Sequence, residues 1–106
     1  MTDTYDKLVR DKIPAIIRAT GRDCVVETMG EADYHRALRA KLVEEAREAA
    51  AATGDNLIGE LADVLEVVDA FCAAHGLDPA RVRAAQDRKR AERGGFAARL
   101  RLRTVG

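Results

Sequence analysis

Two acidic pairs have the residue types and spacing to do chemistry: Glu45 and Glu48 in Glu44-Glu45-Ala46-Arg47-Glu48, and Glu60 and Asp63 in Glu60-Leu61-Ala62-Asp63. Within each pair the acids are three residues apart, which places them on one face of a helix about one turn apart. Between the pairs, Thr53-Gly54-Asp55-Asn56 offers a glycine for one helix C-cap and an aspartate for the next N-cap. The stretch therefore reads as a helical hairpin. Glu48 and Glu60 are equidistant from position 54, as are Glu45 and Asp63, and mirrored positions of an antiparallel hairpin face each other. Four carboxylates then converge on a patch about 5 Å long, at a rise of about 1.5 Å per residue. Such a cluster repels itself unless it is neutralised. Hard divalent cations such as Mg²⁺ or Mn²⁺ do this with oxygen ligands, and Mg²⁺ often bridges carboxylates to substrate phosphates.

The plainer reading is that these acids are solvated charges on amphipathic helices, as most charged helical residues are. Two details oppose it. On a helical wheel Glu45 falls in the arc of Leu38, Leu42 and Ala49, and Glu60 in that of Leu57, Val64, Val67 and Phe71, so both point where helices pack. Glu44 and Glu48 also form a like-charge i, i+4 pair that weakens an isolated helix.

The elements that must position these acids follow from composition and local signals. With 106 residues, 47% of them apolar and 34% charged, the chain is expected to form one domain, 1–106, soluble and mainly helical. An apolar-basic alternation from Tyr5 to Arg10 precedes Asp11-Lys12-Ile13-Pro14, a helix start with proline near its first position. That short helix is expected to reach about Thr20, with Ile13, Ile16 and Ile17 as its buried stripe and Gly21 as its stop. Cys24 to Thr28 has the β-branched content of a strand. Thr28 with Glu31 gives a capping-box signal for a long helix running to about Thr53. The next helix, from about Asp55 to Ala74, is apolar around most of its circumference and is expected to be the central one. Asp78-Pro79 opens a fourth helix that reaches Glu92 or Arg93, and Gly94-Gly95 closes it. Leu100-Arg101-Leu102-Arg103 alternates as an exposed strand does, and its natural partner is the Cys24–Thr28 strand. The expected architecture is a helical hairpin core with two further helices and a minor two-stranded β element.

Several classes are excluded or disfavoured. Cys24 and Cys72 are too few for a disulfide framework and have no zinc-ligand spacing around them. His35 reads as a surface residue, and His75 as an imidazole near the negative end of its helix. There is no apolar run of about 18 residues and no signal-peptide pattern, so no membrane is expected and a cytoplasmic location is the default. The chain contains no serine, no G-x-x-x-x-G-K phosphate loop, no G-x-G-x-x-G and no E-x-x-H. Net charge is zero but uneven: residues 1–80 hold nine basic and sixteen acidic side chains, and 81–106 hold nine and two. Opposite poles suit a substrate that brings metal to the acid and phosphate to the base; they equally suit weak nucleic-acid binding or attraction between segments. On spacing alone, Lys7, Arg10 and Lys12 read as solvated charges, with phosphate contacts as the other reading.

Three stretches together resemble the MazG-like all-α nucleotide pyrophosphohydrolase superfamily, in its small phosphoribosyl-ATP pyrophosphohydrolase-like branch. They are Lys7-Leu8-Val9-Arg10-Asp11-Lys12-Ile13-Pro14, the Glu44-Glu45-x-x-Glu48 and Glu60-x-x-Asp63 pair, and Lys89 to Phe96 with Arg93-Gly94-Gly95-Phe96. The resemblance implies an all-α NTP pyrophosphatase-like fold and a Mg²⁺-dependent hydrolase acting on phosphoric anhydrides, with Mn²⁺ as a substitute. Its reaction would convert a nucleoside triphosphate to monophosphate and pyrophosphate, a chemistry that serves the removal of aberrant nucleotides. Glu45, Glu48, Glu60 and Asp63 match the metal-ligand positions, and Lys7, Arg10, Lys12, Lys89 and Arg93 fall in segments that resemble the phosphate-side motifs. Glu44 and Glu45 are the candidate catalytic bases, since a carboxylate outside direct coordination can take a proton from water. A homo-oligomer, dimer or tetramer, is implied both by the resemblance and by the apolar girth of the Asp55–Ala74 helix. The alternatives are phosphoribosyl-ATP as the substrate, or a helical binding or regulatory module without turnover.

Overall fold

The computed structural model describes residues 6–106; Tyr5, where the apolar-basic alternation begins, lies outside the described residues. Four helices follow in order: α1 Ile13–Ala19, α2 Glu31–Ala51, α3 Asn56–Ala74 and α4 Pro79–Arg93. The protein is mainly α, and among the described residues no helix is long and apolar enough to cross a membrane.

Local signals set most helix ends. Asp78 caps α4 through its Oδ1, which accepts from the Ala80 N–H at 2.9 Å, and Pro79 occupies the first turn, where an N–H has no helical partner. At the end of α3, Gly76 takes φ 63, which a side chain would oppose. Its N–H and that of Leu77 reach back to the Ala73 and Cys72 carbonyls at 3.3 and 2.8 Å, satisfying two orphan acceptors in a Schellman arrangement. Other ends are built differently from the sequence expectation. The N-cap of α2 is Gly30, not Thr28, and makes no side-chain cap bond; Glu31 and Asp33 in the first turn face the positive end of the helix instead. Asp55 is itself in helical conformation and does not cap α3 with its side chain. The turn is closed by backbone bonds from Asn56 N to Thr53 O and from Leu57 N to Gly54 O, with Gly54 at φ 57.

The α2–α3 hairpin is the packed unit. Leu38, Val67 and Cys72 are its buried apolar residues, with Leu38 only 1% exposed. Joined by a short turn, the two helices run antiparallel and bring their apolar stripes together. α3 is the most apolar helix, yet Ile58, Leu61 and Leu65 on its other side remain exposed. In α1, Ile13 and Ile17 are half-buried but Ile16 is exposed, so the expected stripe of three is reduced to two.

The expected two-stranded element is absent among the described residues. Neither segment finds a partner: Val25 is 99% exposed, and Leu100 and Leu102 are almost as open. β propensity in a short segment reports a surface that fits a pleated neighbour, and no such neighbour is offered among the described residues. The chain is accordingly extended, with a Cα radius of gyration of 18.3 Å against about 13 Å for a compact domain of this length.

Candidate metal centre

The hairpin carries the acids towards one another as the mirror argument requires, but not all of them to one point. Glu45 from α2 and Glu60 and Asp63 from α3 each present a carboxylate oxygen, and these oxygens lie within 4.8 Å of one another. Glu45 is 7% exposed, and Glu60 and Asp63 are half-buried. Two oxygens, Glu45 Oε2 and Glu60 Oε2, are buried with no hydrogen-bond partner. A carboxylate oxygen removed from water and left unpaired is costly, on the order of 1–3 kcal/mol or more for a charged group. Two of them in one acidic group fit a site for a hard cation, because the donor set is entirely oxygen.

Glu48, expected as a fourth ligand, is not in this group and lies on an exposed part of α2. It remains electrostatically tied to it. The Glu45 carboxylate beside it pushes the Glu48 carboxyl above its ordinary range, helped by desolvation, hydrogen bonding with Glu45, and the charges of Glu60 and Glu44. Glu44 is half-buried outside the three-carboxylate group and faces Lys41 Nζ at 3.8 Å.

The raised value has a thermodynamic consequence of definite sign. The folded chain holds the Glu48 proton more tightly than the unfolded chain, so the ionised form destabilises the fold above the window and the penalty fades as pH falls towards 4.5. Glu48→Gln should therefore melt higher than wild type at neutral pH in the presence of a chelator, and the advantage should disappear on acidification. A pH-independent difference in melting temperature would place the effect elsewhere.

Cations border the cluster. Arg10, from the segment before α1, donates through Nη2 to Asp63 Oδ1 at 2.6 Å across 53 residues of sequence. Lys41 Nζ lies 3.3 Å from Glu45 Oε1. Arg10, Lys41 and Tyr34 line a cavity of about 240 Å³ whose wall also includes Glu45 and Asp63. Of the five expected phosphate-side residues, the structure brings Arg10 to the site. Lys7 and Lys12 are exposed and do not line this cavity. Lys89 and Arg93 lie exposed on α4 and do not line it either; α4 instead borders a separate groove with α3, walled by Leu65, Val68, Cys72 and Val82. Lys41 and Tyr34 were not among the expected site residues. The signal for Lys41 was present, since it precedes Glu44 and Glu45 by three and four positions, the spacings that meet on a helix. Nothing local marked Tyr34.

Neither histidine belongs to the carboxylate group or lines the cavity. His35, expected at the surface, is half-buried and packs its ring 4.6 Å from that of His75, which in turn stacks on Phe71 at 5.7 Å.

The sequence signature of the family described as Phosphoribosyl-ATP pyrophosphohydrolase matches residues 25–90, more than half of the chain. The matched span holds Lys41 and every carboxylate of the cluster but begins after Arg10 and ends before Arg93. An uncharacterized protein of Mycolicibacterium smegmatis is 52% identical over 46 residues, which is 43% of this chain and 47% of that relative. The chain thus spans about half the length of the curated relative it matches. No solved structure matches the chain.

Proposed function

The chain belongs to the phosphoribosyl-ATP pyrophosphohydrolase family, within the MazG-like superfamily, and from this membership we propose that it hydrolyses a nucleoside triphosphate to monophosphate and pyrophosphate with Mg²⁺. The observation that carries the proposal is the pair of buried, unpartnered oxygens on Glu45 and Glu60 within a three-carboxylate group. Glu45, Glu60 and Asp63 would hold the cation, and Glu48, electrostatically tied to Glu45 and Glu60, is proposed as a further ligand. A bound divalent cation supplies charge neutralisation of the phosphoryl oxygens and a more acidic water. The chain's own groups do the rest. Arg10 stands at the cavity wall, where its guanidinium can take a phosphate oxygen while orienting Asp63. Glu44, outside the three-carboxylate group, is our candidate to accept a proton from the attacking water, with Glu45 as the other.

The proposed bond is the one between the α- and β-phosphates. Hydrolysis in ¹⁸O-labelled water should place the label in the monophosphate, with intact pyrophosphate as the other product. A diphosphate with labelled orthophosphate would overturn the assignment. Assays over a panel of nucleotides with Mg²⁺ and Mn²⁺, including non-standard bases and phosphoribosyl-ATP, identify the substrate. Absence of turnover across the panel would favour a binding module.

We also propose a homo-oligomer, dimer or tetramer. The exposed Ile58, Leu61 and Leu65 recur at helical spacing on α3, and burying such a stripe against a second copy contributes about 25 cal/mol per Å² of apolar surface. Light scattering should give at least twice the 11.5 kDa chain mass; a monomer mass at micromolar concentration would remove this proposal.

A further inference from the structure

Of the two described cations that line the cavity, Arg10 and Lys41, Lys41 is the one whose charge is committed to no short bond. Its Nζ lies 3.3 Å from Glu45 Oε1 and 3.8 Å from Glu44 Oε1, both longer than the roughly 2.7–2.9 Å of a charge-assisted hydrogen bond. Arg10, by contrast, is locked to Asp63 at 2.6 Å. The Lys41 side chain is only 18% exposed, so its stem is packed, and the residue lines the cavity that Arg10 lines from the other chain segment. A compact ammonium on a flexible stem can exchange partners by a small rotation, which a bidentate guanidinium does less readily.

We propose that Lys41 is a phosphate-binding residue held in reserve, the counter-ion of Glu45 in the metal-free protein and a ligand of a substrate phosphate oxygen once metal occupies that carboxylate. The inference rests on the reading of the site as a metal-dependent phosphoanhydride hydrolase. Glu45 is 7% exposed and has one oxygen facing Lys41 and one without any partner. In the metal-free state the ammonium offsets part of the charge that three clustered carboxylates concentrate there. Once a divalent cation supplies that charge, the ammonium beside it is repelled and its donors are available on the cavity side. Metal and polyphosphate thereby bind cooperatively, because the first removes the competitor that held the second's partner.

The test is calorimetry of the full chain with Mn²⁺ alone, and then with inorganic pyrophosphate in excess Mn²⁺, together with melting in chelator. For Lys41→Met three results are expected: a lower melting temperature without metal, Mn²⁺ affinity equal to or a few-fold above wild type, and pyrophosphate binding weakened about tenfold or more. Lys41→Arg should recover part of the pyrophosphate affinity. A purely structural lysine would leave pyrophosphate affinity unchanged in the folded variant, and that result overturns the proposal. Loss of Mn²⁺ affinity in Lys41→Met also overturns it, since the lysine would then be organising the metal site. Should Lys41→Met not fold, Lys41→Gln removes the charge while keeping a polar side chain and is read in the same way. Wild-type turnover of a nucleotide with unchanged pyrophosphate binding by the variant would sink this inference alone; unchanged Mn²⁺ affinity in Glu60→Gln would sink the underlying reading.

Discussion

Glu60→Gln should bind Mn²⁺ or Mg²⁺ on the order of 100-fold more weakly than wild type and lose nucleotide hydrolysis in step, while melting at a higher temperature in chelator. The opposite signs make the experiment informative. Substitutions of groups that merely support a metal ligand cost roughly 10–100-fold in metal affinity, and Glu60 contributes an oxygen to the cluster itself. Without metal the same carboxylate is a liability. Its Oε2 is buried without a partner, as is Glu45 Oε2, and an amide in its place removes one like charge and brings an N–H donor to the group. If calorimetry finds unchanged affinity, Glu60 is a packing residue and the cluster is a solvated face. If affinity falls but the chelated protein is also less stable, the mutual repulsion inferred from the unpartnered oxygens is absent.

Leu38→Ala should be the most damaging single substitution in the apolar core, costing about 3 kcal/mol in thermal or chemical denaturation. Leu38 is the most deeply buried of the described core residues, at 1% exposure, where α2 meets α3. It stands seven residues before Glu45, two helical turns along the same face, and lines the same cavity. Truncation removes the transfer free energy of three carbons and leaves a void that a two-helix interface can close only by shifting one helix. At about 4 °C or more per kcal/mol for a domain of this size, the melting temperature should drop by more than about 10 °C. Leu100→Ala is the comparison, because that side chain is 91% exposed and an exposed truncation is expected to stay within about 0.5 kcal/mol. Comparable losses for the two variants would mean that the C-terminal segment, and not the α2–α3 seam, holds the assembly together.

The helices, their order and the hairpin were legible in the residues themselves, because capping, glycine turns and apolar periodicity act over one or two turns of chain. Asp78-Pro79 starts α4, the turn around Gly54 joins α2 to α3, and the acids at 45, 60 and 63 meet because their register is fixed once that turn is known. Where local signals competed, they misled by a few residues. Thr28 and Asp55 both have the chemistry of N-caps, but α2 is capped at Gly30, two residues beyond Thr28, while Asp55 holds the N-cap position of α3 and leaves its side chain out of the cap.

What tertiary structure alone decided depends on rotation about helix axes and on contacts between distant segments. A three-residue step turns an α-helix by about 300°, so Glu45 and Glu48 share a face only to within about 60°; packing chose Glu45 as the buried one. Arg10 reaches Asp63 across 53 residues, which no local pattern encodes, and among the basic residues it was indistinguishable from Lys7 and Lys12. Lys89 and Arg93 lie on α4 and do not line the cavity for the same reason: charge in a sequence has no direction until the elements carrying it are placed. The strands failed on the same ground. Alternation makes Leu100 and Leu102 fit for a sheet, but a sheet exists only where a second backbone lies alongside, and none does so among the described residues.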